Sequence, residues 1–90
     1  MRQNNNREAL YKALTNISDL EDMKIFLLSL CSDAELNKMA QRLYVAELFL
    51  KKYKYRDIVN ETDASTATLA KIKYDLYYGN RGLLKGLEAI

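Results

Sequence analysis

The sequence contains no histidine, no proline and no tryptophan, and it has one cysteine, Cys31, and three glycines. A single cysteine excludes a disulfide framework, and without histidine it cannot complete a Cys/His zinc site. No run approaches the ~20 apolar residues that span a bilayer. The first residues, MRQNNNRE, lack the apolar core of a signal peptide. We therefore expect a cytoplasmic protein with no membrane segment, no metal and no cofactor.

Residue types that usually carry catalysis are equally scarce. There is no glycine-rich phosphate loop, and no pair of carboxylates stands apart from the helix starts. Cys31 lies in an apolar context, which is more typical of a core residue than of a nucleophile. We assign no catalytic residue and expect a protein that is not an enzyme.

What is present is helical periodicity. Apolar residues recur at spacings of three and four along the chain, and no segment alternates like a strand. The fold class is therefore predicted to be all-α. Ninety residues make one domain, near the lower size limit for a comfortable core. The predicted helices are residues 7–14, a helix from near Asp19, a helix from 33 to about 52, two helices in 54–76, and a short C-terminal helix in 83–90.

Helix starts and apolar faces are visible in the first half. Ser18 with Glu21, and Ser32 with Glu35, have the spacing of capping boxes. The Asn4–Asn6 triplet is expected to fray or cap the first helix.

The third helix is apolar on more than one face, which predicts burial between layers or a partner subunit. Its apolar residues are Leu36, Met39, Ala40, Leu43, Ala46, Leu48, Phe49 and Leu50.

Residues 54–74 have the pattern of a helix-turn-helix motif. Ile58 and Val59 precede a break at residues 62–64, and Leu69 and Ile72 follow it. In such a motif these apolar pairs pack across the turn, and the second helix enters the DNA major groove by its N-terminal end. Asp63 falls where the chain bends through a left-handed residue, which Asp tolerates better than most residues. An ordinary pair of core helices shares this spacing.

Charge is divided unevenly along the chain. Residues 1–50 carry six basic and seven acidic side chains, net −1, whereas residues 51–90 carry eight basic and five acidic, net +3. The basic residues around the motif are Lys51, Lys52, Lys54, Arg56, Lys71 and Lys73. Binding to phosphates requires such a cluster. For Lys51 and Lys52 alone, solvated positions at a helix end are an alternative.

Three stretches resemble the tryptophan-repressor (TrpR-like) superfamily, and within it the YerC/YecD type. They are residues 30–36 (LCSDAEL), residues 40–43 (AQRL), and residues 55–69 with their ASTAT run. The resemblance covers about residues 18–78 and implies an intertwined all-helical homodimer with two helix-turn-helix heads. It also implies one TrpR-like domain over residues 1–90, in which 1–50 dimerise and 54–76 bind DNA.

The resemblance also implies roles for individual residues. Arg56 matches a family arginine that contacts DNA, and Thr66, Ala67 and Ala70 match positions that face the groove. Thr68 and Lys71 are expected to contact phosphates, although the threonine hydroxyls could instead satisfy free N–H groups after Ser65. The predicted DNA-binding residues are Lys52, Lys54, Arg56, Ser65, Thr66, Ala67, Thr68, Ala70, Lys71 and Lys73.

The family's tryptophan pocket is only partly matched. Arg42 corresponds to the arginine that stacks on the indole, while Lys71 and Asp75 replace an arginine and a serine. Ile72 replaces a glycine and should fill space that the indole needs. We expect Arg42, Lys71 and Asp75 to line an effector pocket whose ligand is unknown and is not tryptophan. Lys54 replaces a frequent capping serine, so the fourth helix should start less sharply.

The main hypothesis is a homodimeric, sequence-specific regulator that binds double-stranded DNA and acts as a repressor. The rival is a helical protein–protein interaction module that uses its basic edge. A protein-binding helix usually presents large apolar residues, whereas this one begins with Ser65, Thr66, Ala67 and Thr68. The tyrosines near the motif could also stack on single-stranded bases, but at helical spacing they are equally typical of core edges or phosphate contacts.

Overall fold

The chain folds entirely into helices. The computed structural model describes residues 2–88, with side chains from residue 5 onward, and in this part there are six helices and no strand. The all-α prediction is confirmed. The helices are α1 (Arg2–Asn16), α2 (Leu20–Leu30), α3 (Asp33–Leu50), α4 (Tyr55–Thr62), α5 (Thr66–Tyr77) and α6 (Gly82–Glu88). Within the described residues, no helix has the length and apolar character needed to cross a bilayer.

Capping explains where α2 and α3 begin. At α3 the Ser32–Glu35 box forms in both directions: the Ser32 N–H donates to Glu35 Oε1 at 2.8 Å, and the Glu35 N–H donates to Ser32 Oγ at 3.1 Å. The bond from the Ser32 backbone, and then that with its hydroxyl, lower the pKa of the Glu35 carboxyl. At α2 the box predicted on Ser18 is wrong. The cap is Asp19, whose carboxylate accepts from the Asp22 N–H at 3.0 Å.

The bounds of three helices, α1, α3 and α6, also differ from the prediction. The Asn4–Asn6 triplet lies inside α1, which extends beyond residues 7–14 at both ends. α3 ends at Leu50, two residues early, because Lys52 adopts a left-handed φ of 69°. There the Tyr53 N–H donates back to the Leu48 carbonyl at 3.1 Å and closes the helix. α6 begins at Gly82, and the last two residues of the predicted 83–90 helix lie outside the described part.

The chain divides into two compact units, with the boundary between Leu36 and Asn37 inside α3. The first unit contains α1, α2 and the first turn of α3. None of its described side chains from residue 5 onward is buried. On α2, Leu20 is 68% exposed, Ile25 63% and Leu28 59%. The first unit therefore presents apolar helix surface to solvent.

The second unit holds the hydrophobic core. Its buried residues come from the C-terminal half of α3 and from the motif: Val45, Ala46, Leu48, Phe49, Ile58, Ala64, Leu69, Ile72 and Leu76. The leucines of α6 pack against this core. The predicted contacts across the helix-turn-helix turn are thus present. Earlier on α3, Met39 and Leu43 remain exposed, so the apolar surface predicted there is buried only in part.

Candidate nucleic-acid interface

The turn between α4 and α5 has the geometry that the sequence predicts. Asp63 is left-handed, with φ 55° and ψ 18°, and its N–H bonds to the Val59 carbonyl. Ala64, only 5% exposed, packs between the helices. Ser65 then caps α5: its Oγ accepts from the Thr68 N–H at 3.1 Å and donates to Thr68 Oγ1 at 2.9 Å. The hydroxyl groups of Ser65 and Thr68 therefore form hydrogen bonds at the start of the helix.

A second set of bonds holds the end of α4. The Thr62 hydroxyl donates to the Ile58 carbonyl at 2.7 Å and accepts from the Ala64 N–H at 3.2 Å. Gln41, on α3, donates its side-chain amide to the Thr62 carbonyl at 2.8 Å. Thr62 is therefore bonded within its own helix, to the turn and to α3.

Small side chains are presented to solvent at the start of α5. Thr66, Ala67 and Ala70 are exposed, and Thr68 is half-buried by its role beside the cap. Leu69 and Ile72, on the opposite side of the helix, are buried. The first turns of α5 therefore present small side chains to solvent and bury large apolar ones in the core.

Exposed cations flank this small-residue surface. Lys52, Lys54 and Arg56 follow one another between the end of α3 and the first turn of α4, and Lys71 and Lys73 lie on α5. We call these five residues the motif cations. Lys51 differs from them, because its Nζ lies 3.5 Å from Glu47 Oε1. Lys54 precedes α4 without a side-chain cap bond, as its replacement of a capping serine predicts.

Tyr55 links the three helices of the second unit that meet at the motif. Its ring packs edge-on against Phe49, with centroids 6.0 Å apart, and Lys73 Nζ lies 6.0 Å from its centroid. Its hydroxyl donates to the Thr66 carbonyl at 3.4 Å. The sequence alone leaves three roles open for the tyrosines and does not identify this one, because the partners are distant along the chain.

A cavity of about 400 Å³ lies beneath α5 and contains the predicted effector residues in its wall. The wall comprises Arg42, Ala67, Thr68, Lys71, Ile72, Asp75 and Leu83. Asp75 Oδ2 also accepts from the Leu83 N–H at 3.3 Å, at the start of α6. Ile72 is 3% exposed and forms part of the wall. Ile72 therefore borders this space, which stays open beside it.

Comparisons with known proteins agree on one family. The family described as Trp repressor protein matches residues 5–90. YerC of Bacillus subtilis (strain 168) is 35% identical over 83 residues, which are 92% of this chain and 80% of YerC. A solved TrpR-like protein from Eubacterium eligens superposes with a TM-score of 0.81 at 33% identity, covering 91% of this chain and 84% of that one. A solved Staphylococcus aureus structure gives a TM-score of 0.81 at 32% identity, covering 91% and 82%.

Proposed function

The chain belongs to the Trp repressor family, a family of DNA-binding regulators, and on that premise we propose that it is a homodimeric transcriptional repressor that recognises a specific sequence in double-stranded DNA. The observation that carries the proposal is the exposed N-terminal surface of α5. Thr66, Ala67 and Ala70 present short side chains there, and the motif cations are exposed just before and within the helix-turn-helix motif.

Each part of this surface has a physical task in DNA binding. Arg56 would donate to a guanine edge, the commonest specific contact of arginine, or to a phosphate. Thr66 would contact a base edge or a thymine methyl. Ser65 and Thr68 would place the N–H groups of the helix start near a phosphate, where the helix dipole favours negative charge. Lys52, Lys54, Lys71 and Lys73 would bind phosphates and set the orientation of the head.

The dimer part of the proposal is supported by the apolar surface of the first unit. Exposed Leu20, Ile25, Leu28 and Leu30 lie around α2, which presents apolar residues on more than one side. A helix of this kind is stable in water only if another surface covers it. We propose that the cover is a second copy of the chain, joined through residues 1–50, and that residues 1–90 act as one DNA-binding domain.

The rival function, a protein-binding module with a basic edge, predicts different residues at the start of α5. It would require large apolar residues at the start of α5, where the chain has Thr66 and Ala67. The exposed Tyr74 and Tyr78 lie toward the other end of the helix. A preference for single strands would in turn indicate stacking on those tyrosines.

The cavity beneath α5 is proposed as an effector pocket whose ligand is not tryptophan. Arg42 and Lys71 supply positive charge in its wall, which suits a carboxylate or another anion, and Ile72 narrows it. Part of the Asp75 carboxylate is already engaged by α6. Tryptophan would bind more weakly here than in a pocket with glycine in place of Ile72, because a branched side chain reduces the room for the indole.

Titration of the protein with duplex DNA at several salt concentrations tests the DNA-binding function. If each head neutralises about three phosphates, the slope of log affinity against log salt should be near −5 for the dimer. The same strands unpaired serve as the competitor. A slope near zero, or tighter binding to single strands than to the duplex, would contradict the proposal.

A further inference from the structure

We propose that Gln41 is a positioning residue for DNA recognition, which holds the turn of the helix-turn-helix motif against α3 through the carbonyl of Thr62. The inference rests on the proposed DNA-binding function and adds a residue outside the DNA-binding surface. Gln41 itself touches neither a base nor a phosphate. Its effect on recognition passes through the start of α5.

The bond meets a need created by the end of α4. The last carbonyl groups of any helix lack partners within the helix, and the carbonyl of Thr62 is the final one of α4. The chain turns away immediately afterwards through the left-handed Asp63. Gln41 Nε2 donates to this carbonyl at 2.8 Å, across 21 positions in sequence. Because the bond is partly buried, water replaces it only incompletely, and its loss would leave the carbonyl with a poorer partner.

The bond also fixes the direction of the turn. The Thr62 hydroxyl already bonds to the Ile58 carbonyl and the Ala64 N–H, so Gln41 completes the set of bonds around this residue. The peptide that follows Thr62 is thereby held in one orientation. Ser65, three residues later, caps α5. A shift at Thr62 would therefore move the cap and the angle at which α5 leaves the turn.

α3 provides a fixed support for this bond. Val45 and Ala46, one turn after Gln41 on α3, are 0% exposed in the core of the second unit. The neighbouring residue Arg42 lines the cavity beneath α5. The turn is thus tied to a helix whose next turn lies in the core. A head that keeps one angle loses less of its binding free energy to reorganisation than a head that samples several.

Glutamine suits the position because its amide can donate to a carbonyl. Methionine has a similar length and no donor, whereas lysine has a similar length and restores one. Gln41→Met and Gln41→Lys are therefore a matched pair. Asn37→Met is the control, because Asn37 is an exposed amide one turn earlier on the same helix.

The experiment measures the affinity of the full-length variants for two duplexes. One is the sequence that the wild-type protein selects from a randomised duplex library, and the other is a random duplex of equal length. For Gln41→Met we expect the selected duplex to bind about tenfold more weakly, about 1.4 kcal/mol, with little change for the random duplex. Gln41→Lys and Asn37→Met should keep the wild-type ratio of the two affinities. In the free protein, hydrogen exchange at the Ala64 amide should be faster in Gln41→Met only.

Other outcomes would overturn the role of Gln41. A Gln41→Met protein with the wild-type affinity ratio, or one that loses affinity equally for both duplexes, would do so. If Gln41→Met does not fold, Gln41→Glu gives the same comparison, because an ionised carboxylate cannot donate to the Thr62 carbonyl. A wild-type protein that selects no duplex would overturn the proposed function as well, and that failure is recognisable because it appears without any substitution.

Discussion

Substitution of Lys52 separates a backbone effect on stability from a charge effect on binding. Lys52 adopts a φ of 69° just after α3, a conformation that costs an L-residue roughly 1–2 kcal/mol. Glycine avoids this cost but loses more conformational entropy on folding, by roughly 0.5–1 kcal/mol. Lys52→Gly and Lys52→Ala both remove the ammonium group, and only glycine relieves the strain. We therefore expect Lys52→Gly to be more stable than Lys52→Ala by about 0.5–1 kcal/mol.

Urea unfolding at one fixed protomer concentration measures this difference, because the stability of a dimer depends on concentration. The two variants should have equal m-values and different midpoints. Equal midpoints, or a higher midpoint for Lys52→Ala, would refute the assignment of backbone strain to Lys52.

The same two variants test the charge of Lys52. Each should lower the affinity for selected and random duplexes alike, because an interaction with a phosphate carries no sequence information. Since each head would then neutralise one phosphate fewer, the salt slope of the dimer should become shallower by about 2. Lys52→Gly would then be the more stable of the pair and still a weaker DNA binder than the wild type. An unchanged slope in both variants would exclude Lys52 from the DNA-binding surface.

Three further predictions concern recognition, pH and regulation. Arg56→Ala and Thr66→Ala should each cost about 1–3 kcal/mol on the selected duplex and broaden its sequence preference; an Arg56→Ala protein with unchanged preference in a binding-site selection would remove Arg56 from recognition. Because Ser32 lowers the pKa of Glu35 in the folded state, the box stabilises α3 above the ordinary carboxyl range, and this stability is lost as pH falls through the lowered pKa. The difference in urea midpoint between wild type and Glu35→Gln should therefore shrink between pH 7 and about 3, and a constant difference would contradict the sign. L-tryptophan should leave DNA affinity unchanged in titrations with and without it, whereas tightening by about tenfold, or 1.4 kcal/mol, would show that Ile72 does not disfavour it.

Local chemistry made several features of the chain predictable from the sequence. Asp63 tolerates a left-handed conformation, and it adopts one between α4 and α5. The Ser32–Glu35 box involves residues three apart, so its spacing is sufficient evidence. At α2 the predicted Ser18–Glu21 box has the same spacing, yet Asp19, one position later, forms the cap. Spacing alone could not separate neighbours that differ by one position.

Other features have no signal in the local sequence and were not predictable in this way. Gln41 and Thr62 are 21 positions apart, and nothing local to either residue indicates that they bond. Lysine has no preference for a left-handed φ, so the sequence does not indicate that α3 ends at Leu50. The structure shows this end through the φ of Lys52 and the bond from the Tyr53 N–H to the Leu48 carbonyl. The contact of Tyr55 with Thr66 depends equally on how α4 and α5 pack.

The most direct test of the proposed function is selection of binding sites by the wild-type protein from a randomised duplex library. A homodimer with two helix-turn-helix heads should enrich palindromic sites whose half-sites lie about 10 base pairs, or a multiple of this, from centre to centre. The measurement is the sequence of the enriched pool, with light scattering of the protein–DNA complex giving the number of chains bound. Palindromes occupied by two chains are the expected result. A pool without enrichment, or single half-sites occupied by one chain, would contradict a dimeric, sequence-specific repressor.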